Sequence, residues 1–129
     1  MAATDGTYIT INTTTEGVDI DGPLNVSDDI TAFATLSSSD SRLKQDIEAI
    51  NSGNALEQVN SLQGVYFKYK EKPQNLNIGF IAQEVLDIVP EVVQKGSEGY
   101  YSLNYANLTA LLVEAVKELS KKIEDLESK

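Results

Sequence analysis

The chain has 129 residues, with 10 Lys and Arg against 20 Asp and Glu, and neither histidine nor cysteine. That length fits one domain, or a small domain with an appendage, and the two absences exclude a disulfide framework, a thiolate zinc site, a cysteine nucleophile and every histidine-based triad. The net charge of −10 argues against nucleic acid or an anionic membrane as a partner held by general electrostatics.

No apolar run approaches the roughly 20 residues of a membrane span, and the first residues do not read as a basic segment followed by an apolar one. Chemistry in this chain must therefore draw on Ser, Thr, Lys, Tyr or carboxylates. Charge divides the sequence. Residues 1–38 carry six acids and no base, and all ten Lys and Arg lie from Arg42 onward. A boundary follows at Ser37-Ser38-Ser39-Asp40, giving a segment over 1–38 and a domain over 39–129.

The first segment reads as short strands. Tyr8 to Ile11, Val18 to Ile20 and Leu24 to Val26 alternate, with Gly6, Gly17, Gly22-Pro23 and Asp28-Asp29 as punctuation. So short a stretch cannot bury a core alone. It is either a loose tail or a set of intertwined strands from several chains. The acids Asp19, Asp21, Asp28 and Asp29 do not form a calcium-loop pattern, so no metal is expected.

From Arg42 the pattern becomes α+β. Leu43, Ile47 and Ile50 recur at i, i+4, i+7, predicting a helix capped by Ser39, Asp40 or Ser41. Asn54 and Glu57 predict a capping box for a helix with Leu56, Val59 and Leu62 on one face and Gly64 as its stop. Val65 to Lys70 alternates as a strand, Lys72 to Asn75 reads as a loop, and Ile78 to Ile81 as a buried strand. Ala82 to Val89 predicts a helix ended by Pro90. Glu91 to Gln94 and Tyr100 to Leu103 predict a hairpin turning at Gly96 to Gly99. Residues 105–127 give a long helix in which Leu112, Val116, Leu119, Ile123 and Leu126 are spaced 4, 3, 4, 3. That heptad seam either joins chains or packs on its own domain, with Leu108 and Leu111 turned inward. β-branched residues at a with Leu at d favour dimers on general grounds.

Ser39-Asp40-Ser41-Arg42-Leu43-Lys44 lies at the boundary. Without histidine, a serine can be activated by a carboxylate, an amine or a tyrosinate, and Lys44 is the nearest amine. A lysine ordinarily titrates near 10.4 and becomes a base when burial or a neighbouring cation disfavours its charge. Residues five apart on one helix lie about 140° apart around the axis. Either the chain folds back before the helix, or Ser39 of one chain meets Lys44 of another. The alternative by spacing is a local Asp40–Lys44 ion pair.

These residues, together with Gly79-Phe80-Ile81-Ala82-Gln83-Glu84-Val85, Val89-Pro90-Glu91, and Tyr105 followed by Leu108, Ala110-Leu111-Leu112, Ala115 and Lys117-Glu118-Leu119, resemble the endosialidase-type intramolecular chaperone domain at the C-terminus of phage tail spikes and tail fibres. A related domain occurs in myelin regulatory factor. The resemblance covers about 91 residues to the C-terminus. It implies a small α+β domain ending in a long helix within a trimeric bundle, with Leu112, Val116, Leu119, Ile123 and Leu126 as trimer-interface candidates.

The resemblance further implies a homotrimeric folding chaperone for the preceding β segment, released by single-turnover autoproteolysis. Ser39 would be the nucleophile, Lys44 the general base, and Ser38–Ser39 the bond cut. Asp40 and Arg42 would position the loop, with backbone N–H groups at the helix start holding the oxyanion. No cofactor is implied. The expected partners are the homotrimer itself, its fibre segment, and other tail or baseplate proteins. Assembly would take place in the infected bacterium's cytoplasm, with the fibre part ending in the virion tail. With only 38 residues before Ser39, the chain is expected to be an excised piece or an unusually short fibre protein. The alternatives are an uncleaved trimeric fibre tip or adaptor, and a receptor-binding tip using Tyr66, Tyr100 and Tyr101.

Overall fold

A computed structural model of the chain describes residues 17–50 and 53–129. The chain divides into two compact units between Gln45 and Asp46. Tyr8 to Ile11, expected as a strand, lie outside the described residues. Residues 17–40 form no strand within a single chain, and Val18, Ile20, Leu24, Val26, Ile30 and Phe33 are all exposed. A strand ladder needs a second strand, and among the described residues none pairs with Val18 to Ile20 or Leu24 to Val26. The helix expected from Leu43 to Ile50 is also absent. One 3-10 turn covers Ser41–Leu43, after which Lys44 is extended at φ −117°, ψ 150° and Asp46 is left-handed at φ 53°. Leu43 and Ile47 find nothing to bury against, and a short helix without an apolar contact is not stable.

The second unit is α+β. Helix α1 (Ala55–Ser61) leads into an antiparallel hairpin of β1 (Val65–Tyr69) and β2 (Lys72–Gly79). Tyr69 faces Lys72 and Val65 faces Gly79, with an irregularity between Phe67 and Tyr69. The Lys72 to Asn75 stretch is thus strand, because the turn is the two residues Lys70 and Glu71. Pro73 is tolerated in a two-stranded sheet, where every strand is an edge. Ile78 and Ile81 are exposed, contrary to the buried strand expected there. Helix α2 (Ala82–Leu86) is shorter than its periodicity suggested. Pro90 begins a 3-10 turn over Pro90–Val92, where its missing N–H costs nothing. The second hairpin pairs β3 (Val93–Lys95) with β4 (Tyr101–Leu103). A 3-10 turn at Tyr105–Asn107 runs directly into α3 (Leu108–Glu127).

The core is one cluster of Ala55, Val85, Val89, Val92, Leu108, Leu111 and Ala115, flanked by half-covered Val59, Leu62, Phe80, Ile88 and Leu103. Leu108, Leu111 and Ala115 lie at 3, 4 spacing, so the first half of α3 packs inward as its sequence indicated. The capping box does not form, and Asn54 makes no side-chain cap. The Glu118 carboxylate of α3 instead accepts from the backbone N–H groups of Gly53, Ala55 and Leu56 at 2.7, 3.1 and 3.2 Å. Gln58 Nε2 donates to the Ile88 carbonyl at 3.1 Å, tying α1 to the end of α2.

Two distant segments meet at Gly79. The Tyr105 hydroxyl accepts from the Phe80 N–H at 3.0 Å, and the two rings stack with centroids 6.0 Å apart. A Cβ at position 79 would collide with that hydroxyl and lie 3.2 Å from Phe67 Cε1, so only glycine fits. Gly79→Ala should lower stability by about 1–3 kcal/mol. Removing the obstruction with Tyr105→Phe should give back part of that loss. Thermal unfolding of the two single variants and the double variant reads the coupling; strictly additive losses would refute the contact. Leu111→Ala, which empties a core position, should cost about 2–5 kcal/mol in the same measurement.

Candidate functional site

The six residues Ser39 to Lys44 form a self-contained loop. Asp40 is the N-cap of the 3-10 turn, with its own backbone extended at φ −62°, ψ 135°. Its Oδ1 accepts from the Arg42 backbone N–H at 2.9 Å and from Arg42 Nε at 3.1 Å, and its Oδ2 accepts from Arg42 Nη2 at 2.9 Å. One carboxylate thus holds both the main chain and the side chain of the residue two places on. The Leu43 and Lys44 N–H groups donate back to the carbonyls of Asp40 and Ser41. This tight turn brings Lys44 Nζ to 2.7 Å from Ser39 Oγ.

The two groups therefore meet within one chain, by the chain folding back before a helical turn. The Asp40–Lys44 ion pair does not form, since Asp40 is committed to Arg42. The N–H groups of Arg42, Leu43 and Lys44 are all taken, by Asp40 and by the turn itself. Ser38, Ser39 and Lys44 are exposed in the single chain, and the ammonium donates to the hydroxyl. The hydrogen bonds from the Arg42 side chain and then its N–H hold the Asp40 carboxyl below the usual aspartate range, and the same contact raises the Arg42 guanidinium.

Elsewhere, Leu112, Val116, Leu119, Ile123 and Leu126 are 47–67% exposed along α3. Tyr66 and Tyr100 are exposed, while Tyr101 sits beneath the Lys95 ammonium, 5.7 Å from the ring centroid. Tyr101 lines an aromatic cleft with Phe67, Tyr69, Phe80 and Tyr105; the three tyrosines picked from the sequence do not share it. No cluster of three or more metal-ligating side chains occurs among the described residues.

Residues 39–94 match the family described as chaperone of endosialidase, which is also classed among the peptidases. Over 99 residues the chain is 38% identical to the long tail fiber protein Gp37 of Enterobacteria phage K3 and, equally, to that of Enterobacteria phage T2. The alignments cover 70% of this chain but 8% and 7% of those proteins, so the chain spans less than a tenth of the curated relatives it matches.

Asp40→Ala removes the cap and the ion pair together, so residues 40–44 should gain fast backbone motion, read as lowered ¹⁵N order parameters. Because the Asp40 carboxyl titrates below its ordinary value, its contribution is present at neutral pH and is lost as pH falls through that lowered value. Wild-type loosening that began already above the ordinary aspartate range would count against the clasp.

Proposed function

We propose that residues 39–129 are an intramolecular assembly chaperone for a homotrimeric phage tail fibre, and that Ser39 and Lys44 cut the chain at the Ser38–Ser39 bond. The observation that carries this reading is the 2.7 Å approach of Lys44 Nζ to Ser39 Oγ inside the stretch that matches the chaperone family. Similarity to tail fibre proteins supports the fibre context. The exposed 4, 3, 4, 3 stripe of α3 supports assembly through that helix, since a seam of this kind is buried by like helices.

In the proposed reaction the lysine must first be neutral. It then accepts the Ser39 hydroxyl proton as Oγ attacks the Ser38 carbonyl carbon. The C–N bond breaks, the Ser39 nitrogen takes a proton back from Lys44, and Ser38 is left as an ester on Oγ. Water hydrolyses the ester, freeing a Ser38 carboxylate and a chain that begins at Ser39. Lys44 is exposed in the single chain and its ammonium donates to Oγ, so this is the resting arrangement. Covering the loop in an assembled trimer would disfavour the ammonium and turn the donor into an acceptor. Cutting would then follow assembly.

Intact-mass spectrometry over a long incubation tests the cut. Wild-type chain should convert to a C-terminal product beginning at Ser39, and Ser39→Ala and Lys44→Ala should each leave the mass unchanged. A wild-type chain that remains whole, indistinguishable from Ser39→Ala, would leave the uncleaved fibre tip or adaptor as the function. Light scattering after size exclusion tests the assembly. The wild type should run as a trimer, and Leu119→Lys with Ile123→Lys should run as a monomer. A monomeric wild type would sink the chaperone reading as stated.

A further inference from the structure

We propose that Glu118 is a proton-operated latch that fastens α1 to α3. The inference is independent of whether the Ser38–Ser39 bond is cut.

Helix α1 has only seven residues, too few to persist by itself. Its first N–H groups need acceptors, and its own N-cap residue, Asn54, supplies none. Among the described residues, the side-chain acceptance at this end comes from one carboxylate 62–65 residues away, which binds the N–H groups of Gly53, Ala55 and Leu56. Ala55, the first residue of α1, is wholly buried against the core. The latch therefore closes over the point where α1 enters the core.

The bonds are charge-assisted, since an ionised carboxylate accepts three amides and a protonated one accepts less well. Of the charged groups nearby, Lys122 favours the ionised form, while desolvation of the carboxyl opposes it. α1 contributes one titratable group, Glu57. α3 contributes Glu114 and Lys117, which pair with each other, Lys121, which pairs with Asp125, and Lys122, whose positive field acts on Glu118. With the Gly53 N–H as the largest influence, these contacts hold the Glu118 carboxyl below the ordinary glutamate range. A lowered value means the latch is closed throughout the ordinary glutamate range and opens only as pH falls through the lowered value. Opening frees residues 53–61 from α3 and uncovers Ala55, Val59 and Leu62.

An NMR titration of the full chain reads the latch directly. The Gly53, Ala55 and Leu56 amide resonances should move together with the Glu118 carboxyl carbon, at one midpoint below the ordinary glutamate value. In Glu118→Gln all three should stop titrating, and their hydrogen exchange at neutral pH should rise several-fold. Below the midpoint, wild-type exchange should rise over 53–61 before it rises in Val85 or Leu111. Amides that do not follow Glu118, or exchange that rises uniformly through the unit, would overturn the proposal. Should Glu118→Gln fail to fold, the wild-type titration and exchange pattern decide the matter alone.

Discussion

Helix α3 carries two apolar stripes, and the chain covers only one of them. Leu108, Leu111 and Ala115 pack into the small core, and that contact holds the unit together, because α1, α2 and the second hairpin all gather on it. The second stripe, from Leu112 to Leu126, stays open. The imbalance runs through the described residues, where seven apolar side chains are buried and twenty-three large ones are exposed. Along α3 the exposed residues recur at 4, 3, 4, 3 spacing, and an apolar stripe of that kind marks a surface built for contact. The exposed apolar side chains of the Val18 to Phe33 stretch have the same need for cover as the helix.

The Ser39 to Lys44 loop stands apart from this shortage. Every contact that sets its geometry lies within Ser39 to Lys44, and the agent is the double engagement of Asp40 with Arg42. The approach of amine to hydroxyl is therefore present before any assembly. What the isolated loop lacks is a dry environment. Under the proposed function, assembly would change the surroundings of the amine and not its distance from the hydroxyl.

Much of the fold was legible in the sequence because local pattern and tertiary contact agree there. The alternation in Val65 to Tyr69, the second hairpin and the long helix each appear close to where periodicity put them. The failures have particular causes. Lys72 to Asn75 has loop composition, yet the two-residue turn before it commits these residues to pairing with β1. The Leu43, Ile47, Ile50 spacing is helical, yet all three side chains are exposed among the described residues. The cap of α1 was invisible because its acceptor, Glu118, lies in a different helix, and no local motif reports a partner more than sixty residues away. At the loop, the five-residue separation ruled out a shared helical face and left two geometries; the clasp of Asp40 on Arg42, which decides between them, is a tertiary detail of a single turn.

The Tyr105 hydroxyl fills the space where a side chain on Gly79 would begin, and it also caps the Phe80 N–H. Neither residue can drift alone. A larger residue at 79 has no room until the ring at 105 loses its oxygen, and losing the oxygen strands an amide. In related chains the two positions are expected to change together or not at all, so the strand end and the approach to the long helix are inherited as one piece even though 25 residues separate them in sequence.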